Sequence, residues 1–387
     1  MVIKNMLYHE RLERYNTAVA KGTPDRVPVF PIIEQWAQQV TGISIRDSYL
    51  KNPMLEVEAF KKIYERVYVD VSYGTGNLIP LKMMSNFGEG IYQVTEAGVQ
   101  IKGSHGATMN DFEYSELIEN PKAYIMEKVL PRKYPILKQN QDIVAKTWKK
   151  SMFDFLAWTN YEKKAFKVIE EKLGVPVVTK GATFLPPDIL LDFLRDFVGT
   201  TGDIRRRPQE FIDACDALFP MMFGLAQASN PKPDKSTMVF IPLHLPTYLK
   251  PKDFEKFYFP SMKKMTTELL NSGRRVMYYM ENDWLPYLDL LQDLPDGDIF
   301  GMFEGGNLKT IKDKIGNKFC IGGGMPVNIL KHGTVSECVD VAKKCLDELA
   351  PGGGYIFGLD MNLLNKDDAK IENLAAVCEY VHVNGKY

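Results

Sequence analysis

The sequence predicts an α/β protein built as a TIM (β/α)8 barrel, with an inserted hairpin and helices between its second and third strands. Three observations carry that prediction. Short β-rich runs alternate with stretches of helical periodicity along the chain. The runs number eight, as in a (β/α)8 barrel. They are also near-continuously apolar, as parallel strands buried on both faces must be. A doubly wound open sheet is the alternative that shares the alternation. A length of 387 residues admits two domains or one large barrel. The regular alternation favours one decorated barrel domain over 1–387.

The first two predicted strands span 27–31 and 67–73. An insertion over about 75–174 follows, because a connection this long is normally an insertion or a lid rather than structureless chain. It opens with a hairpin, 91–94 and 99–101 around Glu96-Ala97-Gly98, and continues as helices over 114–173. The remaining strands are 175–184, 238–244, 275–281, 298–304, 318–322 and 355–360. Between them the clearest helices run over 252–271, opened by Pro251, and 335–349, opened by Thr334.

A formal net charge of −1 with 45% hydrophobic residues leaves ample material for a core. It argues against disorder and against a dedicated nucleic-acid binder. Residues 1–8 lack the apolar core of a signal peptide. No stretch nears the roughly 18 uninterrupted apolar residues of a membrane span. Cys215, Cys320, Cys338, Cys345 and Cys378 are scattered and never spaced as CxxC, the pattern of reduced thiols in a cytoplasmic protein.

In a (β/α)8 barrel the chemistry sits at the C-terminal ends of the strands. Those ends offer Glu34, Tyr73 with Asn77, Thr183, His244, Tyr279 with Glu281, Glu304 and Asp360. Acidic residues are costly to bury without partners, so several converging at one end predict a site. For each alone, helix capping or a barrel salt bridge stays open as the alternative. His244 should face the mouth, there to bind a metal, donate a proton or hydrogen-bond a substrate oxygen. A structural histidine satisfied by backbone is the other reading. Trp36, Tyr73, Phe184, Tyr278, Tyr279 and Trp284 would suit a flat apolar substrate if they line the mouth, and are core otherwise. Gly322-Gly323-Gly324, placed after a strand, could let backbone N–H groups approach an anion, whereas Gly352-Gly353-Gly354 reads as a tight turn into the last strand.

Four segments carry a family resemblance along nearly the whole chain: Asp25-Arg26-Val27-Pro28-Val29, IPLHLPTYLKPKDFEKFYFPSMKK over 241–264, CIGGGMPVNILKHGT over 320–334 and GGGYIFGLD over 352–360. Together they resemble the uroporphyrinogen decarboxylase superfamily, which implies a TIM barrel. The porphyrinogen decarboxylases carry an arginine-rich loop soon after the first strand. Here that stretch is Ile32-Ile33-Glu34-Gln35-Trp36-Ala37-Gln38-Gln39, without arginine. A substrate with many carboxylates needs cationic partners, so decarboxylation is disfavoured.

The other branch of the superfamily comprises corrinoid-dependent methyltransferases. Those that methylate a thiol resemble one another in an HxC motif and a late Cys that hold zinc. In this chain the corresponding positions are Tyr279-Met280-Glu281 and Leu359. The resemblance therefore implies the methyl-donor side: an O-demethylase methyltransferase that demethylates a small aromatic methyl ether and passes the methyl to cob(I)alamin on a partner corrinoid protein. On this reading Glu281, His244 and Glu304 are catalytic, supplying a proton to the leaving oxygen. Glu34, Trp36, Tyr73, Phe184, Tyr279, Trp284 and Asp360 bind substrate. His244, Glu281 and Asp360 are candidate zinc ligands through nitrogen and oxygen. Two alternatives stand beside it: demethylation of a methylated or quaternary amine, held by carboxylates and aromatic rings, and a homologue that binds a corrinoid or tetrapyrrole without catalysis.

Overall fold

The computed structural model describes residues 2–75, 79–88, 92–101 and 107–387. Asn77 and Ile91 lie outside them. The predicted hairpin is present as β1 (Tyr92–Thr95) and β2 (Gly98–Ile101), antiparallel, with Thr95 opposite Gly98. The insertion continues through short helical turns to one long helix, Gln141–Val168, capped by the Asn140 side chain on the Ile143 N–H.

Six parallel strands then follow in sequential order: β3 (Thr179–Ala182), β4 (Met238–Leu243), β5 (Arg275–Met280), β6 (Ile299–Phe303), β7 (Cys320–Met325) and β8 (Tyr355–Leu359). The two remaining members of the ring are shorter than predicted. Residues 27–33 pair with the β8 side, where Phe30 N–H donates to Phe357 O and Phe357 N–H to Pro28 O. Residues 67–73 lie between them and the β3 side. There Asp70 N–H donates to Val29 O, and Ser72 N–H to Pro176 O. These bonds close the ring. The first segment makes isolated bridges rather than a ladder because Pro28 and Pro31 bring no N–H. The predicted strand 175–184 shrinks to β3 for a related reason: Pro176 interrupts it, and the register shifts between Thr179 and Ala182.

One buried ion cluster ties the two short members together. Asp70 is fully buried; its Oδ2 accepts from Val29 N–H at 2.8 Å and its Oδ1 from Arg14 at 2.5 Å and Tyr68 OH at 2.8 Å. Arg14 also grips Asp25 through two 2.7 Å bonds. Arg14 lies on the helix Val2–Val19, whose Tyr15 packs edge-on against Phe30 and Phe300 in the barrel interior.

The glycine run at 322–324 lies inside β7, not after it. A Cβ on Gly322 would stand 2.5 Å from the Phe300 ring, and one on Gly323 would stand 2.8 Å from Phe303 O. These glycines make room for phenylalanines of the neighbouring strand, so the expected anion loop is a packing device. Gly322→Ala is expected to cost about 1–3 kcal/mol by overpacking, measurable as a lowered urea midpoint. The second run is the tight turn expected, with φ of +83°, +74° and +63°, and Gly353 packs against Gly22 O. The helix Val335–Leu349 also follows its prediction, with Thr334 and Glu337 forming a reciprocal capping box. All five cysteines are free and buried. Among the described residues no helix is long and apolar enough to cross a membrane.

Candidate active site

Three of the predicted acids meet at the C-terminal mouth. Glu281 follows β5, Glu304 follows β6 and Asp360 follows β8. All three line one open cavity of about 320 Å³ with Thr247, Asn282, Gly305 and Met361. Local backbone features aim them. Asn282 adopts φ +62°, a left-handed conformation that asparagine tolerates, and its N–H donates to Glu304 Oε2 at 2.9 Å. The Trp284 indole N–H donates to Glu281 O at 2.9 Å. Asp360 Oδ1 accepts from Val327 N–H at 2.8 Å, fixing the acid against the helix that follows β7.

His244 follows β4 and lies between two carboxylates. Its Nδ1 is 2.7 Å from Asp192 Oδ2 and its Nε2 is 3.3 Å from Glu281 Oε1. Burial alone would lower its pKa. The hydrogen bond that its Nδ1–H donates to Asp192 and the negative charges of Asp192, Asp188 and Glu281 overcome that and push it up to about 9. His244 is therefore an imidazolium at neutral pH, and both ring nitrogens donate. Glu281 is held above the ordinary carboxylate range by burial, with the imidazolium opposing and Glu304 and Asp192 reinforcing the rise. Burial likewise raises Asp360.

Asp188 and Asp192 complete the arrangement, and neither was among the candidates read from the sequence. Asp188 is fully buried; its Oδ1 accepts from Leu245 N–H at 2.8 Å and His244 N–H at 3.2 Å, and Tyr258 OH donates to its Oδ2 at 2.7 Å. It anchors the turn carrying His244. Asp192 lies on a π-helical stretch, Leu190–Arg195, which continues the helix Pro186–Ile189. Such widened turns redirect side chains and recur at functional sites. The Pro186-Pro187-Asp188 opening was the available signal, since it places an acid in the first turn of a helix directly after a strand.

The aromatic residues fall elsewhere. Trp36 is fully buried in the outer core, with its indole N–H on Ala369 O. Trp284 is fully buried against Phe254 and Tyr287. Phe184 packs edge-on against Phe193 beside the outer core. Tyr278 points outward to Thr266. None of these four lines the cavity. In a buried parallel strand adjacent residues take opposite faces, so Tyr279 can face the interior only if Tyr278 faces out. Tyr73 and Tyr279 do face the interior, on either side of Phe240. Burial first, then the neighbouring Glu304, raises the Tyr279 phenol. Glu34 receives Asn362 Nδ2–H at 2.8 Å.

The predicted zinc ligands do not assemble. His244 and Glu281 are adjacent, but Asp360 is held on the backbone of Val327. Among the described residues no group of three or more His, Cys, Asp or Glu side chains is placed to hold a metal ion. The donor set as it stands does not fit zinc, and no chemical step is routed through one.

An eight-membered parallel ring with acids gathered at the strands' C-terminal mouth defines a TIM-barrel protein with its site in the usual place. The sequence profile described as uroporphyrinogen decarboxylase (URO-D) matches residues 131–383, and the chain belongs to that family. No curated protein matches it. Among solved structures it is similar to a methyltransferase from Methanosarcina mazei, with 16% identity and a TM-score of 0.64 over 96% of this chain and 98% of that one. That likeness establishes the shared fold.

Proposed function

We propose that this chain is a corrinoid-dependent methyltransferase that takes a methyl group from a methoxylated aromatic and passes it to cob(I)alamin on a partner corrinoid protein, in the cytoplasm. The observation that carries the reading is the His244–Glu281 pair at the cavity wall, an imidazolium donor beside a raised carboxyl. The corrinoid, on its carrier, supplies the nucleophile. What the barrel must add is help for the leaving group, because an aryl methyl ether releases a phenolate that benefits from a proton. His244 stores that proton, Asp192 keeps it there, and Glu281 faces the cavity and hands it to the ether oxygen. The structural likeness to a methyltransferase supports the reading. Among the described residues the cavity lining contains no lysine or arginine, which argues against a polycarboxylate porphyrinogen.

A second reading gains from one observation. Among the described residues the cavity presents three carboxylates and no aromatic ring, a lining that suits a methylated amine cation as well as a neutral ether. The deciding experiment is an anaerobic absorbance assay of cob(I)alamin conversion to methylcob(III)alamin against methoxyarenes, methylamines and betaines. Loss of the cob(I) band with a methoxyarene alone supports O-demethylation; loss with an amine alone replaces the substrate; loss with none, when the corrinoid carrier is present, removes methyl transfer.

The pH profile offers an independent check. The reaction needs His244 protonated, a form present below its pKa and lost as pH rises through about 9. The alkaline limb of kcat is expected there. Asp192→Asn removes the hydrogen-bonded anion and should move that limb down toward the ordinary histidine value, about 6.5. An unmoved limb would detach His244 from the rate.

A further inference from the structure

Two residues past Asp360, which lines the carboxylate cavity, one buried side-chain acceptor lacks a donor. Glu34 follows Ile33, which bridges to Leu363 where the ring closes, and Asn362 lies two residues past Asp360. Asn362 Nδ2 donates to Glu34 Oε1 at 2.8 Å, yet the same amide's Oδ1 is buried without a hydrogen-bond partner. Turning the amide over does not remove the deficit. The nitrogen would then occupy the position that has no partner, and the oxygen would need a proton from Glu34 itself. Among the described residues no Lys, Arg or His side chain compensates Glu34. Burial raises Tyr49, Tyr73, Tyr279 and Glu56, and the charge of Glu34 adds to the rise of each. Burial pushes the Glu34 carboxyl up to about 7, with the Asn362 hydrogen bond opposing. Buried acceptors are costly to leave unpaired; a ligand that brings its own donor removes the cost.

We propose that Glu34 and Asn362 form a subsite that selects the methyl donor by accepting hydrogen bonds from it, so that the preferred substrate carries an O–H or N–H group. This rests on the methyl-transfer reading of the site and adds the chemistry of its substrate. Tyr73 and Tyr279 lie in the barrel interior within reach of the Glu34 charge, so a donor held there would have aromatic faces nearby. An analogue without the donor would leave Asn362 Oδ1 buried and unpaired, the arrangement that gives strong rejection in sites built to read hydroxyl groups.

Calorimetric binding to the full chain tests this with two pairs of probes that differ in a donor group: 2-methoxyphenol against methoxybenzene, and trimethylammonium against tetramethylammonium. The donor-bearing member of one pair is expected to bind at least about tenfold more tightly, and the responding pair identifies the donor as hydroxyl or ammonium. Asn362→Leu, which keeps the volume and removes the acceptor, should bring the ratio to about one. Glu34→Met serves the same purpose should Asn362→Leu not fold. Equal affinity within both pairs, absence of binding by all four probes, or a ratio kept by the folded variants would overturn the subsite. A ratio that is present and lost on substitution, without any methyl transfer to cob(I)alamin, would keep the subsite and overturn the methyl-transfer reading instead.

Discussion

Glu281→Gln is expected to lower kcat by about 10²–10⁴-fold, the usual worth of a positioned proton donor, with a much smaller change in substrate affinity. The glutamine keeps the shape and can still accept from His244 Nε2, 3.3 Å away. It cannot carry the proton onward. A group that acts only in the transition state lowers kcat and kcat/KM together, whereas a mere binding group raises KM. Steady-state kinetics with the methoxyarene or amine identified in the cob(I)alamin assay separates the two. Small and equal effects on both parameters would remove Glu281 from the mechanism and leave His244 beside a bystander.

The largest stability effect is expected far from the mouth. Asp70→Ala removes the acceptor shared by Arg14, Tyr68 and Val29 N–H. It leaves a largely buried guanidinium whose remaining carboxylate partner is the half-exposed Asp25. Breaking a buried pair from one side typically costs about 3–5 kcal/mol. Chemical denaturation should show a loss of that size, with Asp70→Asn losing less because its amide oxygen can still accept from Val29. A loss below about 1 kcal/mol would mean that the two short ring members are held by packing alone, within the median range of an exposed pair. The effect is placed where the ring is weakest: residues 27–33 and 67–73 make bridges instead of ladders, so side chains carry more of their attachment.

Much of this architecture was legible in the sequence because the strands are buried on both faces. The predicted 238–244, 275–281, 298–304 and 355–360 match β4, β5, β6 and β8 to within a residue at either end. Their flanking acids were therefore placed correctly at the mouth, and Glu281, Glu304 and Asp360 line one cavity. The same property hid the aromatic residues. A run apolar on both faces carries no parity signal, so Tyr278 and Tyr279 could not be sorted, and Trp284 read as mouth when it is core. The run 318–322 ended too early because glycines 322–324 look like a loop until the Phe300 ring is seen to require them. Asp192 was invisible for a different reason. Its direction is set by a backbone widening, which no hydrophobic period records.

That widening makes the site sensitive to chain length as well as to composition. A π-helical turn accommodates one residue more than the α-helix around it, and successive α-helical residues are rotated by about 100°. A homologue with one residue fewer between Leu190 and Arg195 could wind the stretch as plain α-helix while keeping every acid. Its counterpart of Asp192 would then swing away from the imidazole. In comparing members of this family, a single-residue gap in 190–195 is accordingly a marker of a lost carboxylate–imidazole pair even where the aspartate itself is kept.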